Sequence, residues 1–231
     1  MKTVAGKILD LSRLTLNGHG NVAIQALKAR MYRDSVSLGL CRDLRTPFAV
    51  PAAKVVTHIR PLLRTDDLSF LNDDAEPASE LLTRVGQLRM LKADLPTCYV
   101  AVLPDGKIGY MQWLIGASEN EKIMANFGEQ FPSLQCTEAL LEGAFTVPAY
   151  RGLGIMANAM AQIAERAINL GAHRVITFVG KENGASLKGC ERAGFSPYVT
   201  RHESWRLFRR KINFVAIAEQ PVAVERTTLA S

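Results

Sequence analysis

The chain has 231 residues, 48% hydrophobic and 22% charged, with a net charge of +6 at pH 7. These proportions are typical of a folded protein and exclude a wholly disordered or low-complexity chain. No run approaches the roughly 18 consecutive apolar residues of a membrane helix, and residues 1–20 lack the apolar stretch of a secretory signal. We therefore expect a cytoplasmic protein.

The positive charge is concentrated near the N-terminus. Residues 1–57 contain nine Lys or Arg against three Asp, whereas the rest of the chain is balanced. Such a segment could bind an acidic partner, for example an acyl carrier protein, or could simply face water. Nucleic acid is not favoured as a partner, because the segment has no notable interleaving of aromatic side chains.

The cysteines and histidines do not predict a metal site. Cys41, Cys98, Cys136 and Cys190 form no CxxC pair, and the four histidines show no HxxxH spacing. The cysteines are also too sparse for a disulfide scaffold, so free thiols are expected.

The first quarter of the chain is predicted to be helical and then extended. Residues 21–35 place Ile24, Leu27 and Met31 on one helical stripe, and residues 43–54 contain two prolines, which is typical of an extended connector. We interpret residues 1–54 as an N-terminal helical extension with its connector.

The rest of the chain alternates between strand and helix patterns. The predicted strands are residues 55–60, 98–103, 107–114, 138–147, 175–179, 198–204 and 206–217. One helix is predicted to begin near Leu68. Three others are predicted over residues 78–92, 153–170 and 186–193, and Gly171 and Gly194 end the last two. Residues 218–231 resemble a flexible tail. A βαβ unit flanked by hairpins predicts an α/β or α+β domain with a mixed sheet.

The most informative segment is a glycine turn within residues 145–160, FTVPAYRGLGIMANAM. A strand ends there, and a helix opens after Arg151-Gly152-Leu153-Gly154. The first N–H groups of a helix have no partner within it, so this turn could bind a diphosphate, with Arg151 adding charge. A plain strand-to-helix turn would look similar.

Two other phosphate-binding motifs fit the turn less well. A P-loop requires Ser or Thr after Gly-Lys, but Gly180-Lys181 is followed by Glu182. Residues 152–157 match the letters GxGxxA of a dinucleotide fingerprint. However, four residues separate the strand from the first glycine, and too little chain follows for a dinucleotide domain.

The turn resembles the acyl-CoA-binding motif of the GNAT superfamily of N-acyltransferases, Gln/Arg-x-x-Gly-x-Gly/Ala, here Arg151-x-x-Gly154-x-Met156. The segment HIRPL at 58–62, the hairpin at 98–114, Asn183-x-x-Ser186 and Ala193-Gly194-Phe195 are similar to other parts of that family in order and spacing. The resemblance covers roughly residues 55–217. It implies a GNAT-like, mixed and mostly antiparallel sheet flanked by helices.

The resemblance also implies a cofactor site for acetyl-CoA or another acyl-CoA, held between two strands that splay apart. Ala144, Phe145 and Thr146 would offer backbone groups to the pantetheine, and Asn183 and Ser186 would lie beside it. The diphosphate would be bound by the segment that begins at Arg151, namely Gly152, Leu153, Gly154, Ile155, Met156 and Ala157. Met156 departs from the family pattern and could narrow this approach.

Acid and base candidates follow from the same resemblance. Many family members carry a tyrosine, seven residues after the asparagine, that protonates the departing thiolate; here that position is Cys190. It could act as the acid, because a thiol pKa of about 8.5 is close to that of the leaving group, or it could be a buried wall residue. Tyr150 and Tyr198 are alternative candidates for the acid.

Glu142 and Glu138 are candidate bases on one face of a strand, and Glu142 is favoured because it is nearer the expected thioester.

The implied activity is acyl transfer from acyl-CoA directly to a primary amine, on a small molecule or a peptide. One alternative is a long-chain N-acyltransferase that uses an acyl carrier protein or a long acyl-CoA. Another is a non-catalytic acyl-CoA-binding or regulatory domain. The terminal hairpin offers a sheet edge at which two copies could pair as a homodimer.

Overall fold

One eight-stranded sheet organises the protein, seen in a computed structural model that describes residues 20–71, 78–93 and 95–217. The strands are β1 (Tyr32–Asp43), β2 (His58–Pro61), β3 (Cys98–Val102), β4 (Ile108–Gly116), β5 (Glu138–Thr146), β6 (Arg174–Gly180), β7 (Ser196–Arg206) and β8 (Arg209–Ala216). The α-helices of these ranges are α1 (Gly20–Met31), α2 (Ala78–Lys92), α3 (Asn120–Phe127), α4 (Ile155–Glu165) and α5 (Gly184–Arg192). None of these helices is long and apolar enough to cross a bilayer.

The strand order is β2-β3-β4-β5-β6-β1-β7-β8, and β5 with β6 is the parallel pair of this sheet. All other neighbouring pairs are antiparallel. The predicted mixed, mostly antiparallel sheet is thus confirmed.

Two cores lie on opposite faces of the sheet, because successive side chains of a strand point to opposite sides. In β4, Tyr110 and Leu114 enter the core that contains α4, whereas Met111 and Trp113 enter the core on the side of α2 and α3. Every residue of β4 is buried, so this strand separates the two cores. We refer below to the α4 face and the α2 face of the sheet.

Strand β1 differs from the sequence prediction. The helix predicted over residues 21–35 ends at Met31, and the next twelve residues form a strand between β6 and β7. Val36, Leu38 and Leu40 alternate with period two, which is a strand pattern. The sheet therefore includes residues that the sequence assigned to a helical extension.

The packing of β1 explains why position 39 is a glycine and why Arg42 is buried. A Cβ atom on Gly39 would lie 2.4 Å from Val199 and 2.8 Å from Phe178, so a larger residue would collide with the neighbouring strands. Arg42 is buried, forms an ion pair with Glu165 and donates to the carbonyl of Ala161 at 3.2 Å. This side chain ties β1 to α4.

Most other predicted elements agree with the structure to within a few residues. The predicted helix at 153–170 is shorter, because α4 ends at Glu165 and a 3₁₀ turn covers Arg166–Leu170 before Gly171. In place of a helix near Leu68 the described residues form a 3₁₀ turn, Ser69–Leu71. Helix α3 was not predicted, and the predicted tail at 218–231 lies outside the described residues.

Candidate active site

The parallel strands β5 and β6 separate soon after they begin. Their pairing runs from Glu138 opposite Arg174 to Leu140 opposite Ile176 and includes no later residues. Beyond that point the two strands no longer bond to each other, which leaves a gap between them. The predicted splay is therefore present, at the carboxyl ends of the strands.

A β-bulge lies on β5 at this gap. Met111 of β4 pairs with Phe145 and Trp113 pairs with Glu142, so Gly143 and Ala144 together oppose one β4 residue. Gly143 has φ +67°, a conformation that favours glycine, and a Cβ there would lie 2.7 Å from the sulfur of Met90. The bulge leaves Ala144 exposed at the mouth of the gap.

The glycine turn leads from β5 into α4. Gly152 and Gly154 have φ +77° and +78°, and Gly154 is the N-cap of α4. The first bond of the helix runs from the N–H of Asn158 to the carbonyl of Gly154, so the N–H groups of residues 155–157 have no acceptor within the helix. A Cβ on Gly152 would meet no atom within 4 Å, so the backbone there is open to a ligand.

Two adjoining cavities occupy this region. The outer cavity, of about 520 Å³, lies over the glycine turn and is lined by residues 144–146 of β5 and by most of residues 151–157. The inner cavity, of about 370 Å³, extends into the gap between the strands and is lined from both faces of the sheet. The two cavities adjoin, since both are lined by Thr83, Ala144, Met156, Asn183 and Ser186.

Most of the predicted cofactor residues meet at the outer cavity; the exception is Leu153. Its side chain packs against the core on the α4 face, and its carbonyl accepts from the N–H of Lys54 at 2.8 Å. Met156 lines both cavities and contacts α5. Its sulfur would lie 2.9 Å from a Cβ on Gly189, so the side chain packs between α4 and α5.

Asn183 and Ser186 have structural roles as well. Asn183 is the N-cap of α5, and its Oδ1 accepts from the N–H of Ser186 at 3.1 Å. Helix α5 therefore begins at Gly184, two residues before the predicted start.

Charged side chains surround the outer cavity. Arg151 forms an ion pair with Glu80 of α2 and donates from Nε to the carbonyl of Thr146 at 3.2 Å. Lys188 and Arg192 of α5 line the same cavity and are exposed. With three basic groups and one acidic group, the outer cavity suits an anionic ligand.

Glu142 lines the inner cavity, and the pKa of its carboxyl is higher than usual. Burial raises the pKa of its carboxyl from 4.5 to about 7, although the N–H of Gly143 and the positive charge of Arg201 act in the opposite direction. The carboxyl is only partly exposed and lines the cavity on the α2 face, beside Gln87 and Met90. A carboxyl that titrates near neutral pH in a cavity is suited to proton transfer.

Glu138 is placed differently. It forms an ion pair with Arg174, and its Oε2 accepts from the N–H of Gln135 at 3.0 Å. The lining of the two cavities does not include it. The geometry therefore separates the two candidate bases: Glu142 lines the inner cavity, whereas Glu138 lines neither of the two cavities.

The candidate acids also differ in position. Cys190 is buried at the inner cavity, and burial raises the pKa of its thiol to about 12. Tyr150 lines the outer cavity, whereas Tyr198 lies outside both cavities, under the guanidinium of Arg174. Burial also raises the pKa of Tyr198 to about 12.

Several residues of the site were not predicted from the sequence. Residues contributed by α2 include Glu80, Thr83, Gly86, Gln87 and Met90, and further additions include Gln112, Lys188 and Arg192. A signal existed for Gln112, which is a polar residue inside the otherwise apolar strand IGYMQWLIG.

The N–H groups at the start of α4, three basic side chains, the gap between β5 and β6 and the Glu142 carboxyl together make a region suited to an extended, anionic ligand. Residues 66–195 match the acetyltransferase (GNAT) family, which is more than half of the chain. The chain belongs to this family. No curated protein matches the sequence significantly.

Solved structures with a similar fold include a GCN5-related N-acetyltransferase from Sphaerobacter thermophilus, with 15% identity and a TM-score of 0.46 over 80% of this chain and 56% of that chain. A GNAT acetyltransferase from Colwellia psychrerythraea has 19% identity and a TM-score of 0.45 over 83% and 60%. The GCN5-related glucosamine N-acetyltransferase region of a fungal multidomain GH3 β-N-acetylglucosaminidase has 14% identity and a TM-score of 0.52 over 86% and 23%. This chain thus spans less than two thirds of each of these chains, and the likeness concerns the fold.

Proposed function

We propose that this protein transfers an acyl group from acyl-CoA to a primary amine. The observation that carries the proposal is the pair of adjoining cavities, one at the free N–H groups of α4 and the other at Glu142. The outer end suits a diphosphate and the inner end suits proton transfer. The space between β5 and β6 connects the two and could hold the arm of the ligand that joins them.

The residues present fit an acyl-CoA. The open backbone at Gly152 and the free N–H groups at the start of α4 would hold the diphosphate. Lys188 and Arg192 would bind further phosphate charge. The backbone of residues 144–146 would bond the pantetheine arm, since it does not pair with β6 there. When bound, the cofactor supplies the activated acyl group as a thioester.

Glu142 would accept a proton from the attacking amine, directly or through water. With a pKa near 7 its carboxyl is ionised above that pH and is then a base of useful strength. The backbone N–H of Ala144, an exposed residue at the bulge, would donate to the oxygen that gains negative charge as the amine attacks. Both groups lie on β5, at the rim of the gap.

Binding and turnover test the proposal. Isothermal titration should show acetyl-CoA binding, and thiol release from acetyl-CoA in the presence of a panel of amines should identify acceptors. Absence of binding at millimolar acetyl-CoA would remove the main support. Turnover that survives in Glu142→Gln would show that another group is the base.

A long-chain donor on an acyl carrier protein is a second proposal, supported by the basic N-terminal segment, of which residues 1–19 lie outside the described residues. Comparison of turnover with acetyl-CoA, long acyl-CoA and acyl carrier protein donors separates the two. A non-catalytic acyl-CoA-binding role is the remaining alternative, which predicts binding without thiol release for any amine.

A further inference from the structure

One buried polar group on the α4 face has no role in the reaction as described so far. Gln112 of β4 is 0% exposed, and its Oε1 accepts from the hydroxyl of Tyr110 at 2.7 Å. Its Nε2 is buried and has no hydrogen-bond partner among the described residues, although Gln112 lines the inner cavity. A buried N–H group without an acceptor is costly, which favours a ligand that supplies one.

The position of Gln112 indicates which ligand atom it would meet. Because it bonds to Tyr110, its side chain lies on the α4 face, together with the cavity residues Met156, Met160 and Cys190. Glu142 follows Leu140 with strand alternation and therefore lies on the α2 face. Its β4 partner, Trp113, is the residue next to Gln112, so the two polar side chains stand at the same level of the sheet on opposite faces.

In the proposed reaction the acyl-CoA would enter along the α4 face, because the outer cavity lies over the start of α4. An amine deprotonated by Glu142 would approach from the α2 face. The side chains of α4 and α5 that line the inner cavity would then face the sulfur of the thioester. They include the sulfur-containing side chains of Met156, Met160 and Cys190, and the buried Nε2–H of Gln112 lies on the same face of the sheet, in β4.

We propose that the Nε2–H of Gln112, held in position by Tyr110, donates a hydrogen bond to the sulfur of coenzyme A and stabilises the departing thiolate. This inference rests on the proposed function. As the N–C bond forms and the C–S bond breaks, the electron pair of the C–S bond goes to sulfur, and the amine proton goes to Glu142. Glu142 then gives its proton to water and the released thiolate takes one proton from water, so the overall reaction is balanced with no other reactant.

Ligand pairs that differ only at sulfur test this inference without turnover. Wild-type protein should bind coenzyme A about tenfold more tightly than desulfo-coenzyme A, and the ratio should increase as pH rises toward the thiol pKa of about 8.5. In Gln112→Leu the ratio should fall to about one, while the affinity for desulfo-coenzyme A stays close to that of wild type. Tyr110→Phe, which leaves Oε1 of Gln112 without its donor, should give an intermediate ratio.

Gln87→Leu is the matched control. Gln87 also lines the inner cavity and has a buried, unpartnered Oε1, but it belongs to α2 on the opposite face. This variant should keep the wild-type ratio.

Each opposite result has a distinct meaning. If wild type binds both ligands equally, or if Gln112→Leu weakens both equally, Gln112 does not contact the sulfur and the inference is wrong, while the cofactor site stands. A ratio that collapses in Cys190→Ala instead would assign the contact to the thiol. If wild type binds neither ligand, the proposed function fails and the inference fails with it. Should Gln112→Leu not fold, the wild-type ratio, its pH dependence and the Tyr110→Phe value still decide the question.

Discussion

The raised pKa of the partly exposed Glu142 carboxyl leads to a prediction about stability that can be tested without a substrate. Its pKa is about 7 in the folded protein against 4.5 for the exposed group. A raised carboxyl pKa means that the folded state holds this proton more tightly than the unfolded state. The ionised carboxyl therefore destabilises the fold increasingly from about pH 4.5 to about pH 7, and by a constant amount above that. A pKa difference of this size corresponds to about 3 kcal/mol.

Replacement of Glu142 by Gln removes this titration and keeps the shape of the side chain. We expect the variant to be more stable than wild type by up to about 3 kcal/mol at about pH 8, and nearly equal to it at about pH 4.5. Urea unfolding of both proteins at several pH values measures the difference, because all other groups titrate alike in the two proteins and cancel.

Glu138→Gln is the control on the same strand. It breaks the ion pair with Arg174, so it should lower the free energy of unfolding at about pH 8, the opposite sign. If Glu142→Gln shows the same stability difference from wild type at every pH, the carboxyl does not titrate near neutrality and the reasoning about burial is refuted.

The other predictions concern activity, binding and the bulge. Glu142→Gln should lower kcat for thiol release by about 10²- to 10⁴-fold and remove a rise of kcat/KM with pH near 7; an unchanged pH profile would exclude it as the base. Cys190→Ala should keep most of kcat, because a thiol with a pKa of about 12 is a poor acid for this leaving group, and a loss above about 100-fold would contradict this. Lys188→Ala and Arg192→Ala should each weaken acetyl-CoA binding severalfold in titration calorimetry, with a smaller effect at high salt, and equal losses at all salt concentrations would argue against a phosphate contact. Gly143→Ala should lower the free energy of unfolding by about 1–3 kcal/mol because of its positive φ, and an unchanged melting temperature would show that the bulge tolerates a side chain.

Local signals account for what the sequence predicted well. The Pro-Asp-Gly turn marks the β3–β4 hairpin, and Gly171 and Gly194 end their helical segments with φ +75° and +86°. The turn at residues 152–154 could be located from the sequence because its backbone conformation, with positive φ, favours glycine. The two glycines therefore mark the start of α4.

Tertiary contacts account for what the sequence missed. Polar and apolar residues do not alternate in residues 32–35, YRDS, so nothing there indicates a strand. The helix predicted from the preceding stripe was therefore drawn past Met31, where α1 ends. One wall of the inner cavity comes from α2, and its residue Gln87 lies 55 positions before Glu142 in the chain, a separation that no spacing rule connects. Gln112 could have been noticed as a polar residue in an apolar strand, but its unpaired amide depends on Tyr110 and the shape of the cavity.

The position of β1 has a consequence for the order in which the sheet can be completed. Its neighbours β6 and β7 are Arg174–Gly180 and Ser196–Arg206, so ribosomes make this strand early and both of its partners late. Until then its backbone groups and the apolar residues Leu38 and Leu40 have no native neighbours, which is the situation in which nascent chains aggregate or recruit chaperones. A fragment that began at residue 66, where the family match starts, would leave β6 and β7 with no strand between them.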